Sequence, residues 1–264
     1  MQIISDFDFT LSKFSFDGIR GYSSYAVIEK SGLLSEKYHE GANALQNFYY
    51  PIEVSTVIDH ITKEEHMLNW HNKAHELLLE HKLKKSHIAL AVDMAMASNK
   101  IGLREGTDIL FGLTEKNQIP LLIFSAGLAN IITEVISKQI GRTHDNIHIA
   151  SNVMRFNDET NDLIGFEDPK FHVYNKKASS ILNSPFFMAE NMDERDNVIL
   201  LGDSLGDLKM SDGVNFNAHS IIKIGFLNDR IDRLPEYIEQ FDIVIIGDPH
   251  LNIVNDLIVD ICSE

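Results

Sequence analysis

Asp6 and Asp8 stand two residues apart, directly after an apolar stretch containing Ile3-Ile4, in the run Asp6-Phe-Asp-Phe-Thr10. Far down the chain, Gly202-Asp-Ser-Leu-Gly-Asp207 follows a second apolar run, Asn197-Val-Ile-Leu-Leu201. Between them, Pro120-Leu-Leu-Ile-Phe124 ends in the small-residue sequence Ser125-Ala-Gly127. Four aspartates from two separate segments repel one another when they are packed together, so a cluster of Asp6, Asp8, Asp203 and Asp207 calls for a cation. Oxygen-only ligands suit Mg²⁺, which keeps waters and bridges substrate phosphate. A carboxylate is also a nucleophile for aspartyl-phosphate chemistry. One of Asp6 and Asp8 would attack phosphorus and the other move a proton. If the chain stays extended there, the two side chains share one side of the strand. A lone Asp-x-Asp is commonly a solvated turn; it is the second acidic motif and the Ser-x-Gly sequence that make a site of it.

These residues need elements to hold them. Short apolar runs at Ile3-Ile4, 120–124, 197–201, Ser220–Ile224 and Asp242–Ile246 alternate with helical patterns such as Ile131–Ile140. That alternation predicts a parallel sheet covered on both faces, an α/β doubly wound fold. Ligands of such sheets bind beyond the carboxyl ends of the strands, where all the motifs above fall, as does Asp248. Arg155–Gly165 is polar in its middle and reads as a hairpin. From about Phe14 to Gly106 the pattern is helical, without strand alternation. Thr62-Lys-Glu-Glu65 fits a capping box with Thr62 as N-cap. Met67, Trp70, His71, Ala74, Leu77 and Leu78 then share a face, and Ile88, Ala91, Val92 and Ala95 form the stripe of the next helix. The expected division is a catalytic core of residues 1–14 and 106–264, with a helical cap, 15–105, inserted after the first strand.

The 264 residues allow one large domain or a domain with a sizeable insert. Lys and Arg total 23 against 39 Asp and Glu, a formal net charge of −16. Such a field repels phosphate backbones and argues against a nucleic-acid polymer as partner. It also requires that positive charge for any phosphate-bearing substrate be supplied locally. Cys262 is the single cysteine, which excludes an intrachain disulfide; it reads as a small apolar residue. No basic leader and no run of about 18 apolar residues is visible, so the expectation is a cytoplasmic protein that neither spans nor needs a membrane. His71 and His75, spaced i, i+4, lack the other ligands of a zinc site and read as solvated helix histidines.

Asp6-Phe-Asp-Phe-Thr-Leu-Ser12, Phe124-Ser-Ala-Gly127 and Gly202-Asp-Ser-Leu-Gly-Asp207 resemble motifs of the haloacid dehalogenase superfamily of phosphatases. Tyr49-Tyr-Pro-Ile-Glu-Val54, His172-Val-Tyr-Asn-Lys176 and Ile224-Gly-Phe-Leu-Asn-Asp-Arg230 narrow this, over nearly the whole chain, to the cytosolic 5′-nucleotidase III (pyrimidine 5′-nucleotidase) family. The resemblance implies a Rossmann-type core and Mg²⁺-dependent hydrolysis of nucleoside 5′-monophosphates through a phospho-aspartate. It makes Asp6 the nucleophile and Asp8 the general acid. It gives the metal to Asp6, the backbone carbonyl of Asp8, and Asp203, with Asp207 steadying it from outside. Ser125 and the Ala126 backbone match the phosphate-binding residues, Lys176 the lysine that pairs with nucleophile and phosphate, and Glu53 the acidic residue facing the base. Lys177 beside Lys176 leaves the register of that lysine to be fixed by its neighbouring asparagine.

The expected partner is therefore a small nucleoside monophosphate, met by a monomer. Trp70 either packs the cap core or stacks on the base. His71 and Ala74 fall where family members differ, so pyrimidine (UMP or CMP) and 7-methylguanosine monophosphate both remain open. Two rivals are another small phosphomonoester, with the same chemistry, and a receiver-type phospho-acceptor module. The second places its acceptor at the third strand and leaves a cap of roughly 90 residues unexplained.

Overall fold

The computed structural model describes all residues except 56, 143, 178–187, 191, 193–194, 213–220, 248–249 and 264. Asp248 thus lies outside the described residues. Six parallel strands form the central sheet in the order β10-β9-β8-β1-β4-β5. They are β1 (Gln2–Ser5), β4 (Leu121–Leu128), β5 (Ile147–Asn152), β8 (Val198–Gly202), β9 (Ile221–Leu227) and β10 (Ile243–Ile246). β1 is central: Ile4 pairs with Leu122 on one side and Leu200 on the other. The carboxyl ends of β1, β4 and β8 therefore lie side by side, at the place where the chain leaves β1 to build outward in both directions. Successive side chains alternate between the two faces. Ile3, Leu121, Ile123, Ile199 and Leu201 belong to the larger apolar core, and Ile4, Leu122, Phe124, Val198 and Leu200 to the smaller one on the opposite face. Each such side chain, fully removed from water, stabilises the fold by about 1.5–3 kcal/mol.

Between β1 and β4 the chain is mostly helical: α1 (Ser24–Glu29), α2 (Glu36–Glu53), α3 (His60–Glu80), α4 (Lys85–Ala97) and α5 (Thr107–Lys116). The stripe Ile88, Ala91, Val92 and Ala95 of α4 is buried as its spacing predicts, and α4 packs on α1 and on α6 (Ala129–Ile140). α2 and α3 pair with each other. Two expectations for this stretch fail. It does contain strands: β2 (Ser15–Phe16) and β3 (Ile19–Arg20) make a tight antiparallel hairpin around Asp17-Gly18, both with positive φ. The cap of α3 is Asp59, not Thr62; Asp59 accepts from the Thr62 amide at 3.0 Å and from its hydroxyl at 2.6 Å. Asp and Thr are both good N-caps, and the helix begins one turn earlier than the box pattern indicates.

The hairpin expected around 155–165 forms as β6 (Met154–Phe156) and β7 (Leu163–Phe166). α7 (Leu234–Gln240) packs on β9 and β10, α8 (Asn252–Cys262) packs on α5, and Cys262 is exposed rather than packed. No helix among the described residues is long and apolar enough to cross a membrane.

Candidate active site

Asp6 is the first residue past β1. Its amide continues the sheet by donating to the Leu201 carbonyl at 2.9 Å, and its side chain is buried. The chain does not stay extended. It folds into one irregular helical turn, Phe7–Leu11, with Phe9 at a φ of +67°. A non-glycine residue in that region is held there by its surroundings. The Phe9 amide donates to Ser12 Oγ at 2.8 Å; its carbonyl accepts from Arg104 Nη2 at 2.8 Å and from Asn228 Nδ2 at 3.0 Å. Arg104, fully buried, also donates through Nε to the Thr10 carbonyl and lies over the Phe226 ring. The turn directs the Asp8 carboxylate toward α1, where the Ser24 amide and hydroxyl each donate to it at 2.8 Å.

The end of β4 is also irregular. Pairing with β5 shifts register between Phe124 and Leu128, so Ser125-Ala-Gly127 is a distorted end of the strand that leads directly into α6 at Ala129. Its amides are partly taken: Gly127 N donates to Ser125 Oγ at 3.1 Å and Leu128 N to Ser24 Oγ at 3.1 Å. Asn152 Nδ2 holds the Ala126 carbonyl at 2.8 Å. Gly127 has no room for a side chain, since a Cβ there would lie 2.1 Å from Ser24 Oγ.

Past β8, Gly202 lets the following turn fold back onto the strand; a Cβ there would meet that of Asp207 at 2.4 Å. Asp207 accepts from the amide and hydroxyl of Ser204 through Oδ2, and from Lys176 Nζ through Oδ1. The same ammonium donates to Asp6 Oδ1 at 2.7 Å. Lys176, 3 % exposed, thus bridges two buried carboxylates. Carboxylate oxygens of Asp6, Asp203 and Asp207 all lie within 4.8 Å of one another.

Burial pushes the Asp6 carboxyl up to about 7, with Asp207 adding to the rise and Lys176 opposing it. Burial and then the charges of Asp207 and Asp6 hold Asp203 well above the carboxylate range. Burial alone would lower Lys176, but Asp207 and Asp6 outweigh it and keep the ammonium charged. Asp8 is raised to about 6 by burial, against the two hydrogen bonds from Ser24. Ionised together, three carboxylates against one ammonium would leave a buried excess of negative charge. An oxygen-only donor set of this charge fits a hard divalent cation. The Asp8 carboxylate is turned to Ser24 and is not among the clustered oxygens of Asp6, Asp203 and Asp207; the atom that the resemblance assigns to the metal is its backbone carbonyl.

On the insertion side, Glu53 is the last residue of α2. Its backbone carbonyl accepts from Lys63 Nζ at 3.0 Å and from Tyr174 Oη at 2.9 Å. Burial raises its carboxyl to about 7, opposed by Lys63 and Arg20. The Trp70 ring is stacked on Tyr49 at 5.8 Å and 12°, and also borders a small cavity with Tyr25, Glu29, Tyr38 and Ala74. The expectation that His71 and His75 are solvated is wrong. His75 is buried, lies flat on Phe166 at 3.6 Å and meets Tyr25 Oη at 2.7 Å; His71 is half-buried with Nδ1 3.0 Å from the Met67 carbonyl. The helical face read from sequence is turned so that α3 also packs on β7.

The family model described as Pyrimidine 5′-nucleotidase (UMPH-1) matches residues 9–262. The chain belongs to the pyrimidine 5′-nucleotidase family. It is 43 % identical over 265 residues to the 7-methylguanosine phosphate-specific 5′-nucleotidase of Homo sapiens, covering all of this chain and 85 % of that one. Among solved structures, cytosolic 5′-nucleotidase IIIB bound to cytidine superposes with a TM-score of 0.87 at 32 % identity, over all of this chain and 86 % of that one. A phosphoserine phosphohydrolase-like protein from Francisella tularensis has a TM-score of 0.53 at 16 % identity, covering 92 % of this chain and 94 % of that one, a likeness of fold alone. The fold is thus that of haloacid dehalogenase-type hydrolases, and the chain is an enzyme, a 5′-nucleotidase.

Several residues of this nucleotidase that shape the site escape sequence reasoning. Ser24 and Arg104 hold the turn after Asp6, Asn228 joins Arg104 at the Phe9 carbonyl, and Asn152 fixes Ala126. Only Ser24 carries a local signal, since Ser23-Ser24 reads as a helix start. A lone arginine in Ile101-Gly-Leu-Arg-Glu-Gly106 has none, because these acceptors, the Phe9 and Thr10 carbonyls and Asn228 Oδ1, lie more than ninety residues away in sequence.

Proposed function

We propose that this enzyme hydrolyses nucleoside 5′-monophosphates, with 7-methylguanosine monophosphate and CMP the first substrates to test. The observation that carries the reading is the contact group Asp6–Lys176–Asp207 with Asp203, set at the adjoining ends of β1 and β8 beside Ser125 of β4, in a chain of this family. The names of its relatives support the substrate class: one acts on a 7-methylguanosine phosphate and another holds cytidine. Residues 1–14 and 106–264 form the catalytic core in this reading, and 15–105 the specificity cap.

Asp6 attacks phosphorus, forming the Oδ–P bond as the bond to the ester 5′-oxygen breaks. Asp8, in its protonated form, gives that oxygen its proton. The Asp8 carboxylate left behind then takes a proton from water as the water attacks phospho-Asp6, returning free Asp6 and phosphate. Lys176 meets the charge of nucleophile and phosphoryl group, and Ser125 with the Ala126 backbone orients the phosphoryl oxygens. Asp6, the Asp8 carbonyl and Asp203 would hold Mg²⁺, with Asp207 outside them, and the ion supplies charge neutralisation for the phosphoryl group. Glu53 faces the base in this reading.

Phosphate release from a panel of nucleoside 5′-monophosphates, phosphoserine and sugar phosphates, with Mg²⁺ and with chelator, tests this. Asp6→Asn is expected to abolish turnover while leaving the fold intact, because the amide is isosteric but cannot attack. Turnover within tenfold of the unsubstituted enzyme would remove Asp6 as nucleophile, and a preference for phosphoserine or sugar phosphates would refute the nucleotide reading.

A further inference from the structure

The segment 170–176 delivers Lys176 to Asp6, and it is braced throughout. At its start, the Phe171 amide donates to Asn152 Oδ1 at 2.9 Å, and Asn152 Nδ2 reaches both the Phe171 carbonyl at 2.9 Å and the Ala126 carbonyl at 2.8 Å. Inside it, the His172 amide donates to Asn175 Oδ1 at 2.7 Å and Asn175 Nδ2 to the Lys170 carbonyl at 2.9 Å. A segment closed by such bonds moves as a unit. Its inner end is Lys176, clamped between Asp6 and Asp207. Its outer side reaches the helical insertion twice. Tyr174 Oη donates to the Glu53 carbonyl at 2.9 Å, and Lys170 Nζ donates to Asn72 Oδ1 of α3 at 3.1 Å. Lys63 shares the Glu53 carbonyl at 3.0 Å and lies over the Tyr174 ring.

A hydroxyl two residues before the phosphate-pairing lysine thus grips the residue that carries the base-facing carboxylate. Binding energy gained far from the reacting atoms raises the rate only if something converts it into placement of catalytic groups. We propose that Tyr174 is that converter: a positioning residue through which a base engaged at Glu53 keeps Lys176 on the nucleophile when the phosphate enters. This rests on the nucleotide reading above and adds to it a specific coupling residue. Glu53 lends Tyr174 its backbone carbonyl, so the contact survives substitution of the Glu53 side chain, and the two residues can be varied independently.

The test measures kcat/KM for CMP, for 7-methylguanosine monophosphate and for p-nitrophenyl phosphate, which has no base, at saturating Mg²⁺. Tyr174→Phe removes one oxygen atom. It is expected to lower kcat/KM for the better nucleotide about tenfold, equivalent to ~1.4 kcal/mol, within the range of one hydrogen bond, and to leave p-nitrophenyl phosphate unchanged. In the background of Glu53→Ala, adding Tyr174→Phe is expected to cost nothing more, since no base signal remains to be passed on. Parallel losses on all substrates would make Tyr174 a merely structural support and overturn the proposal. Losses that multiply in the double variant, or a Tyr174→Phe enzyme with its nucleotide preference intact, would overturn it equally. If the unsubstituted enzyme itself shows no preference for nucleotides over p-nitrophenyl phosphate, the nucleotide reading fails first and the coupling fails with it.

Discussion

Ser24 donates its backbone amide and its hydroxyl to the two carboxylate oxygens of Asp8, at 2.8 Å each. The same hydroxyl accepts from the Leu128 amide at 3.1 Å. One atom from the start of α1 therefore ties the turn after β1 to the end of β4. Asp8, the proposed general acid, is thus oriented by the first helix of the insertion, and in the proposed chemistry that helix counts as much as the strands do.

Ser24→Ala leaves the amide donor and removes the hydroxyl one. Hydrogen bonds to the ionised form lower a carboxyl pKa, so their loss raises it. The Asp8 carboxyl, already pushed up to about 6, is expected to move further up in the variant. It then stays protonated to higher pH, and the limbs of the pH–rate profile that report Asp8 shift to higher pH. Profiles of kcat/KM with p-nitrophenyl phosphate at constant Mg²⁺ check this. A downward shift would show that Ser24 does not stabilise the carboxylate.

Gly127→Ala puts a Cβ 2.1 Å from Ser24 Oγ and 2.9 Å from Asp8 Oδ2. Ser24 cannot retreat without releasing Asp8 or the Leu128 amide. The site must open by most of an ångström, and displacement on that scale costs on the order of 10²-fold in rate. The stability loss should stay near 1–3 kcal/mol, the usual cost of overpacking. Thermal unfolding and kcat, measured on one preparation, separate the two effects. A variant with native kcat would mean that the Ser24–Asp8 contact is dispensable.

Lys176→Met is expected to remove roughly 3 kcal/mol of transition-state stabilisation. It also strands Asp6 and Asp207 as buried carboxylates facing each other, a change of about 3–5 kcal/mol in folding stability. If a cation is shared by these carboxylates, added Mg²⁺ should recover part of the lost Tm in the variant, because a ligand that binds only the folded state stabilises it. Lys177→Met should cost little in rate. Equal losses from both lysines would break the assignment.

The parts of the molecule legible in the sequence are those set by local pattern. β1, β4, β8, β9 and β10 are short apolar runs with clear ends, and the stripe of α4 follows the helical period. Asp6, Asp203 and Lys176 meet because all three motifs sit at strand ends or beside them. Other features depend on partners distant in sequence. Burial of His75 against Phe166 needs a hairpin ninety residues away, and the Asp8 orientation needs α1 to pack on β4. The hairpin β2–β3 has two-residue strands, too short to give an alternation, and is marked only by Asp17-Gly18. The cap of α3 is ambiguous in the sequence because Asp59 and Thr62 both have capping side chains, and their mutual hydrogen bond satisfies the two at once.

Glu53 is expected to control which base is accepted and to leave phosphoryl transfer alone, since it lies on α2, away from the strand ends. Removing the acceptor leaves a donor of the bound base unpaired, which costs roughly 1–3 kcal/mol. Glu53→Ala should accordingly lower kcat/KM for the preferred nucleoside monophosphate by about one to two powers of ten, while p-nitrophenyl phosphate hydrolysis stays nearly constant. A second, independent readout follows from its titration. Burial raises the folded-state pKa of Glu53 from 4.5 to about 7, so the folded protein binds this proton more tightly than the unfolded chain. The stability contributed is complete below about 4.5 and is lost as pH rises through about 7. Glu53→Gln keeps the shape and cannot ionise. The Tm of this variant relative to the unsubstituted enzyme is therefore expected to rise between pH 5 and pH 8 in steps that follow Glu53 ionisation. Other raised carboxyls, Asp6 and Asp8 among them, act alike in both proteins and cancel in the difference. A difference in Tm that stays flat over this range would mean that the Glu53 carboxylate remains solvated, and a solvated carboxylate has nothing to gain from a base.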